Sequence, residues 1–166
     1  ALNTAVQLAT YASFPFTGTT TLSLDTEMAF SWPPATNTYV EWGIGQPGAQ
    51  QVAPSDGAFF RLNSAGLQGI CAYNGTETST GVFPLEGGTG TWVYTANKRY
   101  QFIIYQSMVE AIFWVNDGTG AVALGRLTLP VAQPRMSMAS AGQVFFKHRI
   151  VGGAASGARS EEHTSE

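Results

Sequence analysis

Apolar side chains in this sequence return at every second position, in short runs broken by glycine, proline or Asn-Gly, and that spacing commits the chain to β-strands. A strand turns successive side chains to opposite faces, so a run of this period buries one face and leaves the other free. Between Thr38 and Gly45 the pattern sets Val40, Trp42 and Ile44 on one face, with Tyr39 and Glu41 on the other. Glu27 to Trp32 aligns Met28, Phe30 and Trp32 before Pro33-Pro34, which cannot donate to a ladder, stops the run. Nowhere between the breakers does a helical spacing take over.

The same reading extends along the chain. Ser55-Asp56-Gly57 turns into a strand from Ala58 to Asn63. Leu67–Tyr73 and Thr76–Phe83 are joined by Asn74-Gly75, the pair best able to supply the two positive φ angles of a type I′ hairpin. Asn74-Gly75-Thr76 is also a glycosylation sequon, but the turn accounts for it. After the glycine-rich stretch from Glu86 to Gly90, Arg99–Tyr105 is apolar on both faces, as a central strand requires. Its neighbour, Val109–Val115, stacks Val109, Ala111, Phe113 and Val115 against Glu110, Ile112 and Trp114. Asn116-Asp117-Gly118 marks a further hairpin into Ala121–Leu129, which Pro130 closes, and Arg135–Ala139 and Gln143–Val151 are the remaining candidates. About ten or eleven strands at near-regular spacing predict an all-β fold, an antiparallel two-sheet β-sandwich or jelly roll. Helices, if any, are expected as single turns near Pro33 or in the loop before Trp92.

At 166 residues the chain suits one domain that needs neither disulfide nor metal to build a core. Only 11% of its residues are charged, against about 25% in an ordinary soluble domain, so each ionic group stands out. No apolar run approaches the roughly 18 residues of a membrane-spanning helix, and membrane insertion is not expected. The formal net charge of −3 falls to −1 without Arg159, Glu161, Glu162 and Glu166, since seven of 8 basic and eight of 11 acidic side chains remain. Such a balance gives no electrostatic footprint for nucleic acid. Cys71 is the single cysteine; in Ile70-Cys71-Ala72 it suits a small buried hydrophobe. Ala1-Leu2-Asn3-Thr4 has neither an initiator methionine nor a basic leader, so the chain is expected to begin inside a longer one.

Acids are sparse up to Ala158, and then Arg159-Ser160-Glu161-Glu162-His163-Thr164-Ser165-Glu166 packs three into one octapeptide. This segment resembles the conceptual translation of a short-read sequencing adapter over its full length. The resemblance implies a domain of residues 1–158, cut from a longer gene, followed by an artefactual tail at 159–166. Gly152 to Ala158 has the composition of a loop leading to one more strand, so the sandwich is expected to lack its last strand and to carry an unpaired edge.

Catalytic chemistry finds little support. A sandwich glycosidase needs two facing carboxylates about 5–9 Å apart. Asp25 and Glu27 fall on one face of an extended segment, but without a third acid in the Glu-x-Asp-x-x-Glu arrangement. A histidine-based nucleophile system has only His148 outside the tail, in register with Val144, Phe146 and Ile150, where a sheet histidine is the plainer reading. Zinc lacks a Cys/His cluster, and Asn116 and Asp117, the residues closest to a calcium pattern, are sufficiently explained by their turn. No catalytic residue, metal or cofactor is expected. The candidate ligand-binding residues are Tyr39 and Glu41, Arg61 and Asn63, Lys147 and Arg149, which point away from the apolar register of their own strands. Planar hydrogen-bonding groups beside an aromatic ring suit a sugar. The same residues also suit a plain solvated sheet face on which Glu41 and Arg61 form a cross-strand ion pair.

Tyr100–Ile104, then Val109–Gly118, then Leu124–Leu127 resembles the central hairpin of concanavalin A-like and laminin-G-like jelly rolls. With Val40–Gly45 and Ser55–Arg61 upstream, the pattern from residue 20 to 152 is similar to lectin-like domains of tailed-phage virion proteins. That resemblance implies a non-enzymatic structural or host-attachment domain of a virion, with other virion subunits or a cell-surface glycan as partner. A secreted bacterial carbohydrate-binding or adhesin module and a glycoside hydrolase of the concanavalin A-like fold remain open beside it. A flat apolar face would favour assembly, and an aromatic, polar groove would favour glycan binding.

Overall fold

A computed structural model of the protein describes residues 4–14, 21–107, 109–129 and 142–151. Ten strands are described: β1 (Ala5–Ala9), β2 (Leu22–Ala29), β3 (Thr38–Gln46), β4 (Asp56–Asn63), β5 (Gly66–Tyr73), β6 (Thr76–Val82), β7 (Arg99–Gln106), β8 (Glu110–Asn116), β9 (Ala121–Thr128) and β10 (Gln143–Ile150). They form two antiparallel sheets, one ordered β1-β10-β3-β4-β5-β6 and the other β2-β7-β8-β9. The expected all-β sandwich is the fold of this protein. The Asn74-Gly75 hairpin forms as expected, with φ of 47° and 77° at its two central residues.

Cross-strand rows explain the core. Trp42 of β3 is paired with Phe60 of β4 and stacks on it at 5.4 Å, while Phe102 of β7 meets Trp42 edge-on at 4.9 Å from the opposite sheet. Phe113 of β8 meets Phe60 at 5.3 Å. Such pairs add about 0.5–1.5 kcal/mol each beyond the burial of their area. Glycines make room for these rings: a Cβ on Gly69 would lie 2.4 Å from Phe113, and one on Gly125 would lie 2.3 Å from Phe83.

No helix occurs among the described residues, where single turns near Pro33 or before Trp92 were the most that was expected. Several expectations need correction. β2 ends at Ala29, so Phe30 still turns inward, but Trp32 stands in a bend and is 79% exposed. Val109 lies outside β8 and is exposed. β1 had no counterpart in the sequence reading, because Val6 and Leu8 alternate over too short a run to stand out. The Arg135–Ala139 strand, the stop at Pro130 and the tail at 159–166 lie outside the described residues.

Candidate functional site

All six candidate ligand-binding residues belong to the six-stranded sheet. Register places Lys147, Glu41 and Arg61 side by side across β10, β3 and β4, with Arg149 opposite Tyr39 one step further along. These side chains point to the face that looks away from the second sheet, because Trp42 and Phe60, which alternate with them, fill the core.

That face is buried, not solvated as the simpler reading had it. Glu41 is fully buried, and both of its oxygens are occupied. Arg149 donates from Nε to Oε2 and from Nη2 to Oε1, each at 2.8 Å, and Arg61 donates from Nε to Oε1 at 2.6 Å. Arg61 then reaches Glu77 of β6 with a two-pronged pair at 2.6 and 2.7 Å. The expected Glu41–Arg61 pair is therefore one link of a chain, Arg149–Glu41–Arg61–Glu77. The ring of Tyr39 packs on both guanidinium groups, with its centroid 4.6 Å from Arg149 and 5.5 Å from Arg61. Burial works against the charge on Arg61, but the carboxylates of Glu77 and Glu41 outweigh it and raise its pKa. A buried charge is tolerated only when paired and hydrogen-bonded in this way.

Lys147 and Asn63 are engaged differently. The fully buried ammonium of Lys147 spends its three donors on backbone carbonyls of the β3–β4 loop, those of Pro47, Ala49 at 2.8 Å and Val52 at 2.7 Å. The loop is thereby pinned across the sheet, beside a small second cluster of Phe59, Ile70, Ala72 and Phe145. Burial pulls the Lys147 pKa below the ordinary lysine value, a shift that nearby Glu41 opposes and Arg149 reinforces. Asn63 uses Oδ1 to accept the backbone N–H groups of Ala65 and Gly66 in the β4–β5 turn. Tyr39, Glu41, Arg61 and Arg149 thus form one cluster whose hydrogen bonds are directed inward, while Lys147 and Asn63 organise loops.

The other residues weighed for chemistry have plain surroundings. Asp25 and Glu27 lie on the exposed face of β2, where Asp25 accepts from Gln101 at 2.7 Å and Glu27 pairs loosely with Arg99 at 3.4 Å. Both are residues of β2, as the extended segment expected for them requires. His148 sits in the row between Val6 and Val40, half-buried. Asn116 and Asp117 fold the β8–β9 loop, accepting from Gly118 and Thr119. Burial pushes the Cys71 thiol up to about 12, away from the thiolate form.

A feature that no motif announced lies at the open side of the sandwich. The six-stranded sheet overhangs the four-stranded one, which ends on β2. Along one inward-facing row, Phe60 is 0% exposed, Trp42 is 2% exposed, Phe146 is half-buried and Leu8 is 66% exposed. Between β2 and this overhang runs a groove of about 420 Å³, lined chiefly by Leu8, Met28, Trp42, Val144 and Phe146. The Nε1 donor of Trp42 is buried there without a hydrogen-bond partner among the described residues. Sequence reasoning missed the groove because each of these residues, taken alone, is indistinguishable from core.

No family model and no curated protein matches the chain.

Proposed function

We propose that this domain is a non-enzymatic, lectin-like structural module of a tailed-phage virion protein, and that it works by packing against other virion subunits. The observation that carries the choice of assembly over glycan capture is the apolar groove beside β2, where Leu8 is left 66% exposed on what is otherwise the core face. Exposed apolar surface that continues a core is the ordinary mark of an interface. The polar residues best suited to hold a sugar are committed to one another: Glu41 to two arginines, Arg61 to two carboxylates and Lys147 to three carbonyls. The virion assignment rests on the resemblance of residues 20–152 to phage lectin-like domains, and fold alone does not choose among such roles.

Two experiments test this reading. Long-read sequencing of the source DNA through the codons for Ala158 is expected to find neighbouring genes for portal, capsid or tail proteins. A reading frame that opens into a secreted hydrolase or a tandem adhesin overturns the virion assignment. A glycan array probed with the purified chain is expected to show no saturable binding; a specific oligosaccharide hit would transfer the function to attachment.

A further inference from the structure

We propose that the groove between β2 and the β1–β10 overhang receives an extended, basic strand from a neighbouring subunit, which pairs along β2 and seats its apolar side chains on Leu8, Met28 and Phe146. The proposal deepens the assembly reading and rests on it for the source of the strand.

The backbone supplies the first argument. Among the described residues β2 pairs with β7 on one side and with no strand on the other, so its second row of peptide groups has no described ladder partner. A strand added there would extend the four-stranded sheet over β10 and β1, whose inward side chains have no described strand above them. Its side chains would alternate, one set entering the apolar groove and the other lying on the outer face beside Ser23, Asp25 and Glu27.

Charge selects the kind of strand. Asp25 and Glu27 share the outer face of β2; Asp25 has no cation paired with it among the described residues, and Glu27 has only exposed Arg99. A second copy of β2 paired antiparallel would bring two such acidic pairs together, which is unfavourable across adjacent strands. Lysine or arginine at the outward positions of the incoming strand removes that conflict. The occupant is therefore an alternating apolar and basic segment from a different region of the assembly.

The test uses a synthetic extended peptide of about nine residues alternating valine and lysine, with a valine–glutamate counterpart and a scrambled control, titrated into the purified chain. The valine–lysine peptide is expected to slow amide exchange across residues 22–29, and to bind more tightly than the glutamate peptide by about threefold to tenfold. Leu8→Lys, at an exposed position whose substitution leaves the fold intact by circular dichroism, is expected to abolish that binding. Absence of binding, equal affinity for all three peptides, protection at another sheet edge, or unchanged binding by Leu8→Lys overturns the proposal. So does a concentration-dependent dimer that protects β2 without peptide, which would identify a second copy as the occupant. A non-phage locus or a glycan hit, by contrast, would remove the virion reading and leave the peptide result standing.

Discussion

Glu41 of β3 and Arg149 of β10, diagonal neighbours on one sheet face, form a two-pronged ion pair, both contacts at 2.8 Å, with the carboxylate fully buried and the guanidinium nearly so. Through the same carboxylate the pair continues to Arg61 and, from there, to Glu77 at the far edge of the sheet. In a chain with few charges, this concentration on one covered face ties β10, β3, β4 and β6 together by side chains as well as by their ladders.

Removing Glu41 leaves buried Arg149 without its carboxylate, whereas Arg61 keeps Glu77. Glu41→Gln is expected to cost about 3–5 kcal/mol in urea unfolding. Combined with Arg149→Gln, the loss should fall short of the sum of the single changes by about 1–3 kcal/mol. Additive losses would mean that the two residues act independently.

Lys147→Met keeps the length of the side chain but leaves the carbonyls of Pro47, Ala49 and Val52 without their donor. The expected loss is about 2–3 kcal/mol, because freed carbonyls near a sheet surface recover only part of their hydration. Amide exchange should rise first between residues 47 and 55. If the exchange increase is instead uniform over the sheet, the ammonium is not what holds the loop.

Gly43 lies opposite Phe59, and a Cβ there would sit 2.4 Å from the carbonyl oxygen of Ala58 and 2.5 Å from the Cα of Phe59. Both obstacles are backbone atoms. Gly43→Ala should therefore destabilise the domain by about 1–3 kcal/mol, and adding Phe59→Leu should not restore it. Rescue by the second change would show that the ring, not the strand spacing, sets the limit.

Asp117 accepts from Lys98 at 2.6 Å and from Thr119, and these bonds hold its carboxyl well below 3.8. Hydrogen bonding to Asp117 likewise raises the Lys98 pKa above 10.5. The sign follows from linkage: the contribution of Asp117 is complete above 3.8 and is lost as pH falls through its folded value. The contribution of Lys98 is complete below 10.5 and is lost as pH rises through its folded value. A carbon-detected NMR titration should show no Asp117 inflection near 3.8, and Lys98→Ala should move the midpoint back toward it.

Period and turn chemistry were enough to determine the class of fold and most of its strands, though not β1. The alternation of Val40, Trp42 and Ile44, the Asn74-Gly75 turn and the hairpin of β7 and β8 are local facts, fixed by the geometry of an extended chain and by which residues accept positive φ. Alternation also placed Tyr39, Glu41, Arg61, Lys147 and Arg149 on the side of their strands opposite the core. What alternation leaves undetermined is the cover over each face, because cover comes from segments distant in sequence. Only the tertiary structure brought the 47–55 loop down onto Lys147, and it carried Arg61 across β5 to Glu77, turning an apparent polar surface into a buried ion chain. Only the unequal width of the two sheets, a sum over all strand pairings, exposed Leu8 and opened the groove beside β2.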